Sequence, residues 1–325
     1  MELLSLFLLL PMVQSTVHCM RINFAMTSLK IKYFIKCFLK TSRNSQYVLQ
    51  LNTSKEPTVS IKGSEVYFEF ITTTNEAKHE KREFEDFRGI EKFEKLWMYS
   101  ENVLDEWMHL VKTVIEIFKF IDHIFHFKID EFPTRNKEIA DFIKTRIPVI
   151  EYCEFHGKAE TDVDVEYFLN HINVTKFVGI RANLSNSFTL PRSNSLQDFS
   201  VNPGNWVTFD QFLHLKTCRL FIHGSPITNR ELNQFLILWM TSQCHQNLIF
   251  LSININDPQY FDTICYLPFE MIDRNVERIG RLSNNNTVSI PGGIDIKRND
   301  GMTGTIHFER RLDKIFLNMV VSRIE

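Results

Sequence analysis

The chain has 325 residues, 44% of them hydrophobic, enough to bury a sizeable core in about two domains or one elongated array. Its 37 basic residues balance 39 acidic ones, which excludes the basic footprint of a nucleic-acid-binding protein and gives no pull toward an anionic membrane surface. Glycine (11) and proline (10) are scarce, so long low-complexity tracts are not expected, and 29 phenylalanines make the core bulky.

Residues 1–40 open with Leu3, Leu4, Leu6, Leu8 and Leu9 and close with Ile22, Phe24, Met26, Leu29, Tyr33, Phe34 and Phe38. That near-helical spacing predicts two or three short helices. The opening run also has the length of a secretory h-region, but its flank carries Glu2 and no Lys or Arg. It is too short to span a membrane, which takes about 20 apolar residues. Between residues 45 and 73, YVLQLN, TVSIKG and EVYFEFITTT predict a small meander of two or three strands, with a turn at Lys62-Gly63-Ser64. The charged run over 75–95 reads as a solvated helix face or loop. Over 101–121, Val103, Leu104, Trp107, Leu110, Val111, Val114, Ile115, Phe118 and Ile121 recur at three and four, predicting a helix with one apolar stripe.

A longer period begins near residue 125. Short apolar strands are expected at 125–129, 148–155, 176–182, 196–201, 218–224 and 247–255. Helical segments lie between several of them: KEIADFIKTR, DVDVEYFLNHI, WVTFDQFLHL and NRELNQFLILWM. A strand and a helix in each repeat of roughly 20 to 29 residues predicts a leucine-rich-repeat-like array, with helices on one face and a concave strand face open to a partner. At the end, Asn299-Asp300-Gly301 predicts a hairpin turn between IDIKR and TGTIHF, placed to cap the exposed edge of that array.

Signals for covalent chemistry are absent from the sequence. No nucleophile elbow, HExxH, Walker loop or GxGxxG occurs, and Gly292-Gly293 reads as a turn rather than a phosphate cradle. Cys19, Cys37, Cys153, Cys218, Cys244 and Cys265 form no CxxC pair and read as reduced core thiols. Asp162, Asp164 and Glu166 alternate as a cation-binding loop would, but without its glycine and later glutamate, so a helix N-terminus is the reading. Cys153 with His156, Cys244 with His245, and His123 with His126 lack a second pair at ligand spacing. No catalytic residue, metal or cofactor is expected. Trp206 and Trp239 read as core, and strand residues on the open face are the better binding candidates, with the outward parity left open.

WVTFDQFLHLKTCRLFIHGSPITNRELNQFLILWM carries Trp206, Val207 and Thr208, a strand over Cys218 to Ile222, then Ile227, Thr228, Glu231, Leu232, Asn233, Phe235, Leu236 and Trp239. With GGIDIKRNDGMTGTIHF at 292–308, which contains Asp295, Asp300 and Gly301, it resembles the type 2 F-box-associated domain of nematode F-box proteins. The N-terminal segment is similar to an F-box in Leu3-Leu4-Ser5-Leu6, Ile22-Asn23-Phe24, Met26, Thr27-Ser28 and Ile35-Lys36, although Phe7 stands where that pattern has proline. The resemblance implies an α/β chain in three parts: F-box-like helices over 1–40, a meander and charged linker over 41–98, and a repeat-like F-box-associated domain over 99–320. It further implies that Leu3, Leu4, Leu6, Ile22 and Phe24 contact a Skp-type adaptor of a cullin–RING ubiquitin ligase, that the C-terminal domain binds an unknown protein substrate, and that the protein is cytoplasmic or nuclear. Trp206, Thr208, Thr228, Leu232, Asn233, Trp239, Asp295, Asp300 and Gly301 are then family positions with structural roles. Two other expectations stay open: a binding module that no longer engages the adaptor, and a secreted glycoprotein, since Asn52, Asn173, Asn183 and Asn285 head sequons.

Overall fold

YVLQLN alternates by twos, and the strand it forms, β1 (Tyr47–Asn52), buries Tyr47, Leu49 and Leu51 and leaves the other parity partly solvated. In the computed structural model the described residues are 46–63, 66–87, 90–191, 196–256, 260–281, 287–311 and 314–323. The F-box-like segment, with Leu3, Leu4, Leu6, Ile22 and Phe24, lies outside them. The chain divides between Glu151 and Tyr152 into two units.

In the first unit β1 pairs antiparallel with β2 (Thr58–Lys62), and β2 with β3 (Val66–Thr73), which is the expected meander. The charged run does not form a helix face or a loop throughout: it contains β4 (Arg82–Phe87) and most of β5 (Ile90–Tyr99). There β3 runs parallel to β5, and β4 antiparallel to it. Charge count concealed a strand: Glu94 lies in register with Phe68, is buried, and has the Arg82 guanidinium 3.7 Å away. The predicted helix is α1 (Val103–Ile117); it ends before β6 (Phe120–Lys128), which runs parallel to β1, so Phe118 and Ile121 are not part of it. The strand order is β6-β1-β2-β3-β5-β4.

Leu49, Leu51, Val59, Ile61, Phe68 and Phe70 share one sheet face and are wholly buried. Over this unit's core α1 lays Leu104, Trp107, Leu110, Val111 and Val114. The Trp107 indole N–H donates to the Thr58 carbonyl at 2.9 Å, and its ring meets Phe125 and Phe142. Asn102 caps the helix by accepting from the Asp105 N–H, and α2 (Asn136–Arg146) follows β6.

The second unit begins within β7 (Val149–Glu160). It holds α3 (Asp162–His171), β8 (Asn173–Asn183), β9 (Asp198–Val201), α4 (Phe209–His214), β10 (Arg219–Ile222), α5 (Asn229–Met240), β11 (Phe250–Ile255) and α6 (Tyr260–Ile264). Four strands follow: β12 (Glu270–Arg281), β13 (Thr287–Lys297), β14 (Thr303–Arg311) and β15 (Lys314–Ser322). Strands β8, β9, β10 and β11 are parallel, but the chain then crosses to the far edge and returns through β12, β13 and β14. The last strand, β15, enters antiparallel between β14 and β11. The order is β12-β13-β14-β15-β11-β10-β9-β8-β7.

This topology corrects the leucine-rich-repeat-like α/β array. A solenoid adds each strand to the open edge in one direction, whereas here β15 occupies the edge of β11 in the opposite direction. With fifteen strands to six α-helices among the described residues, the chain is mostly β. The hairpin at Asn299-Asp300-Gly301 is present, but it joins β13 to β14 inside the sheet and does not cap an array.

One physical feature organises the second unit. Val178, Phe199, Leu220, Leu251, Met319, Ile306 and Ile294 stand in register across seven strands, all buried. A second row, Ile180, Val201, Ile222, Ile253 and Leu317, lies one pleat further along. Gly304 belongs to this face, where a Cβ would stand 3.0 Å from the Trp239 ring, so α5 packs directly on backbone. Gly292-Gly293 is a bend within β13 and not a chain-reversing turn: both residues have positive φ, and the register with β12 shifts across them. Ile290 and Ile294 share parity, yet Ile290 packs with Phe250 and Val320 on the other face. That reversal requires the bend, and a Cβ on Gly293 would collide with the Ile306 carbonyl.

Trp107→Ala is expected to destabilise the first unit by about 3–5 kcal/mol, through the cavity and the donor lost to Thr58. Urea unfolding followed by far-UV circular dichroism reads this directly; a loss below about 1 kcal/mol would contradict the packing described.

Candidate protein-binding surface

The residues of the two sequence motifs lie where chain segments are fastened. Trp206 is buried edge-on against Phe188, with Phe199 close by. Thr208 caps α4 through its hydroxyl, which accepts from the Gln211 N–H. Thr228 and Glu231 form a capping box on α5: the threonine hydroxyl accepts from the Glu231 N–H at 3.2 Å, and the glutamate accepts from the Thr228 N–H at 2.8 Å. Leu232 and Trp239 point from α5 into the core. On the same helix Asn233 acts outward, its amide donating to the Ile264 carbonyl at 2.8 Å and the Tyr266 carbonyl at 3.4 Å. It thereby holds the turn that carries Tyr266, which is 85% exposed.

Two motifs far apart in sequence meet at Arg298. Its guanidinium lies 5.0 Å from the Trp239 ring centre, donates twice to Asp300 (2.9 and 2.8 Å) and once to the Gln246 carbonyl (3.0 Å). The Arg298 bonds draw the Asp300 carboxyl down to about 2, and Gly301 closes the turn with φ +87°. Buried Asp295 accepts from Thr305 at 2.6 Å and from Arg278 at 3.0 Å, tying the bent β12–β13 arm to β14. Sequence reasoning did not find Arg298; its place beside an Asn-Asp-Gly turn was the available signal.

The other candidate pairs read from the sequence do not come together as pairs. Cys153 faces the core, where burial raises its thiol pKa, while His156, of opposite parity, pairs with Glu154. The Cys244 thiol, pushed by burial up to about 11, lies against the Phe235 carbonyl, and His245 packs between Phe212 and Phe235. In the first unit the His126 ring meets the Gln50 amide at 3.1 Å. Asp162 and Asp164 open α3, and Asp162 accepts the Ser185 N–H and hydroxyl.

Register now settles which strand parity faces away from α5. On that side Gly179, Ser200, Phe221, Ser252 and Asn318 form a row, with His307 beyond. One pleat further, the His223 and Phe316 rings lie 4.8 Å apart and tilted, and Arg311 lies over Phe316 while paired with Glu309. Burial lowers the His223 pKa, and Arg311 and Lys314 lower it further. Deeper in this face Asp198 and Arg219 form a buried ion pair. At the strand ends Asn254 accepts from the Gly224 and Ser225 N–H groups and donates to Asn256, which donates to the Ser225 carbonyl. The result is a second face of small, aromatic and hydrogen-bonding side chains, covered at Ser252, Asn318 and Phe316, half-buried at Ser200, Phe221, His223 and His307, and open to solvent at Arg311. Among the described residues no helix is long and apolar enough to cross a membrane.

Residues 189–253 match the family model described as F-box associated. The match runs through β9, α4, β10 and α5 into β11, and so contains Trp206, Thr208, Thr228, Leu232, Asn233 and Trp239. No curated protein and no solved structure matches this chain.

His245 supplies a test of this packing. Burial holds its pKa down at about 4 against an ordinary 6.5, opposed in part by a backbone bond to Phe212. Between those values the unfolded chain binds the proton and the folded chain does not. The neutral ring's contribution is therefore complete above pH 6.5 and is lost as pH falls toward 4, a change on the order of 3 kcal/mol. Stability measured from pH 7 to 4 should show that slope, and His245→Asn, which cannot titrate, should flatten it whatever its effect at pH 7.

Proposed function

We propose that this chain is a non-catalytic, substrate-binding subunit of an SCF-type cullin–RING ubiquitin ligase. The observation that carries this reading is the F-box associated match over 189–253, on a unit whose motif residues serve to hold a frame. The part of that frame's second face that reaches solvent, with half-buried Phe221 and His223 and exposed Arg311, receives the target protein. Residues 1–40 contact a Skp-type adaptor through Leu3, Leu4, Leu6, Ile22 and Phe24, the positions that resemble an F-box. No residue here does covalent chemistry: holding the target near the ubiquitin-charged enzyme raises its effective concentration, and that is the whole mechanism. Phe7, where the F-box pattern has proline, favours the second reading of a binding module detached from the adaptor.

A pull-down of the tagged full chain separates the two. The adaptor should be recovered with the wild-type chain and depleted at least about tenfold by the triple variant Leu3→Asp, Leu4→Asp, Leu6→Asp, since charges replace apolar anchors. Recovery of the adaptor by other F-box proteins in the same lysate, but not by this chain, would overturn the ligase reading and leave the binding module.

A further inference from the structure

Two bases face each other where β14 meets β15. Arg311 and Lys314 stand in register on the two strands, and both are exposed. They lie on the second face: Lys314 shares the parity of Phe316, and the Arg311 guanidinium sits 5.5 Å from the Phe316 ring centre. Both also act electrostatically on the half-buried His223 ring, which lies against Phe316. Like charges directly opposite one another destabilise an antiparallel pair, whose Cβ atoms stand only about 5 Å apart. Glu309, in register with Phe316, answers Arg311, accepting from its guanidinium at 2.6 Å. The buried Asn318 amide donates to the same Glu309 oxygen at 3.0 Å, so this acid is committed on its own pleat. Lys314 has no ion-pair partner among the described residues.

We infer that this spot reads an acidic side chain: the target segment received on the second face presents an aspartate or glutamate carboxylate to Arg311 and Lys314. The inference rests on the proposed reading of that face as the target-binding surface, and it specifies the chemistry of what is bound. Charge balance carries it. Arg311 and Lys314 bring two positive charges and Glu309 one negative, which leaves one positive charge. One carboxylate cancels that charge and lifts the opposition of the two bases. A phosphorylated side chain carries roughly 1.5 to 2 negative charges, so it would overshoot and set the excess beside Glu309. A lysine or arginine of the target would meet two cations.

The donors are available for such a contact. Glu309 takes one guanidinium nitrogen of Arg311, which leaves the rest of that planar fork free, and the Lys314 ammonium keeps all its N–H groups. Below them lie the buried Phe316 ring and the half-buried His223 ring. Charges seated on such a floor are screened less than charges in open water. The neighbours of His223 on β11, Ser252 and Asn254, are uncharged, so nothing on that strand competes for the bound acid.

Peptide pools on the immobilised full chain test the inference. Each pool is a random peptide with blocked ends and one fixed central residue: Asp, Glu, Asn, Gln, Lys, Arg or phosphoserine. The wild type should retain the Asp and Glu pools over the Asn and Gln pools by about fivefold, the yield of two exposed ion pairs. Added salt should shrink that advantage. Lys314→Glu turns the balance of the spot from one positive charge to one negative, and should reverse the preference toward the Lys and Arg pools. Lys314→Arg should keep the wild-type order. The position is exposed, and circular dichroism should match wild type in both variants. Equal retention of all pools overturns the inference, as does retention of none, or an Asp and Glu advantage that survives Lys314→Glu. Retention of the phosphoserine pool above the Asp and Glu pools overturns it as well. Equal retention that Phe221→Asp abolishes would leave the second face as the receiving surface and remove only the acid preference. The adaptor pull-down depends on residues 1–40 and decides the ligase reading separately.

Discussion

The second unit depends on the entry of β15 between β14 and β11. Its side chains Leu317 and Met319 carry two apolar rows from the parallel strands into the antiparallel ones without a break. Take β15 away and the parallel half presents Leu251 and Ile253 on an open edge, while the antiparallel half loses the strand to which β14 pairs. Everything placed later on that sheet inherits this register. Gly304 brings the β14 backbone under Trp239, and Arg298 at the end of β13 can then cover the same ring and hold the turn through Asp300.

That constraint explains why the residues that the sequence motifs singled out are fastenings. Caps at Thr208 and Thr228, the core rings of Trp206 and Trp239, and the Asp295 bonds each stop an element from shifting against its neighbour. A binding face gains from such stiffness, because a rigid surface loses less conformational freedom when it takes a partner.

Much of the local structure was legible in the sequence. The helix α5 announced itself by the amphipathic run NRELNQFLILWM, and α1 by its stripe at three and four, although that stripe read on through Phe118 and Ile121, past the end of the helix at Ile117. Segments that failed did so for physical reasons. Charge concealed β5 and β12, because an edge or half-exposed strand can carry acids and bases on one parity while keeping a strand's alternation. KIFLNMVVS, buried on both faces, has no alternation to read and was passed over, although its unbroken apolar run was the signal. Gly292-Gly293 looks like any turn; only the opposite facing of Ile290 and Ile294 identifies a bend. Above all, recurring strands and helices fix what forms and not what pairs, so a parallel array and a mixed sheet share one local pattern until β15 chooses its neighbours.

Native-state hydrogen exchange resolved to single amides tests that choice most directly. If β15 is the central strand of the second unit, the amides of β11, β15 and β14 open together and rank among its slowest to exchange. Rapid exchange of β15 while β8 through β11 stay protected would mean that the parallel strands stand alone, and the account of one continuous sheet in this unit would fail.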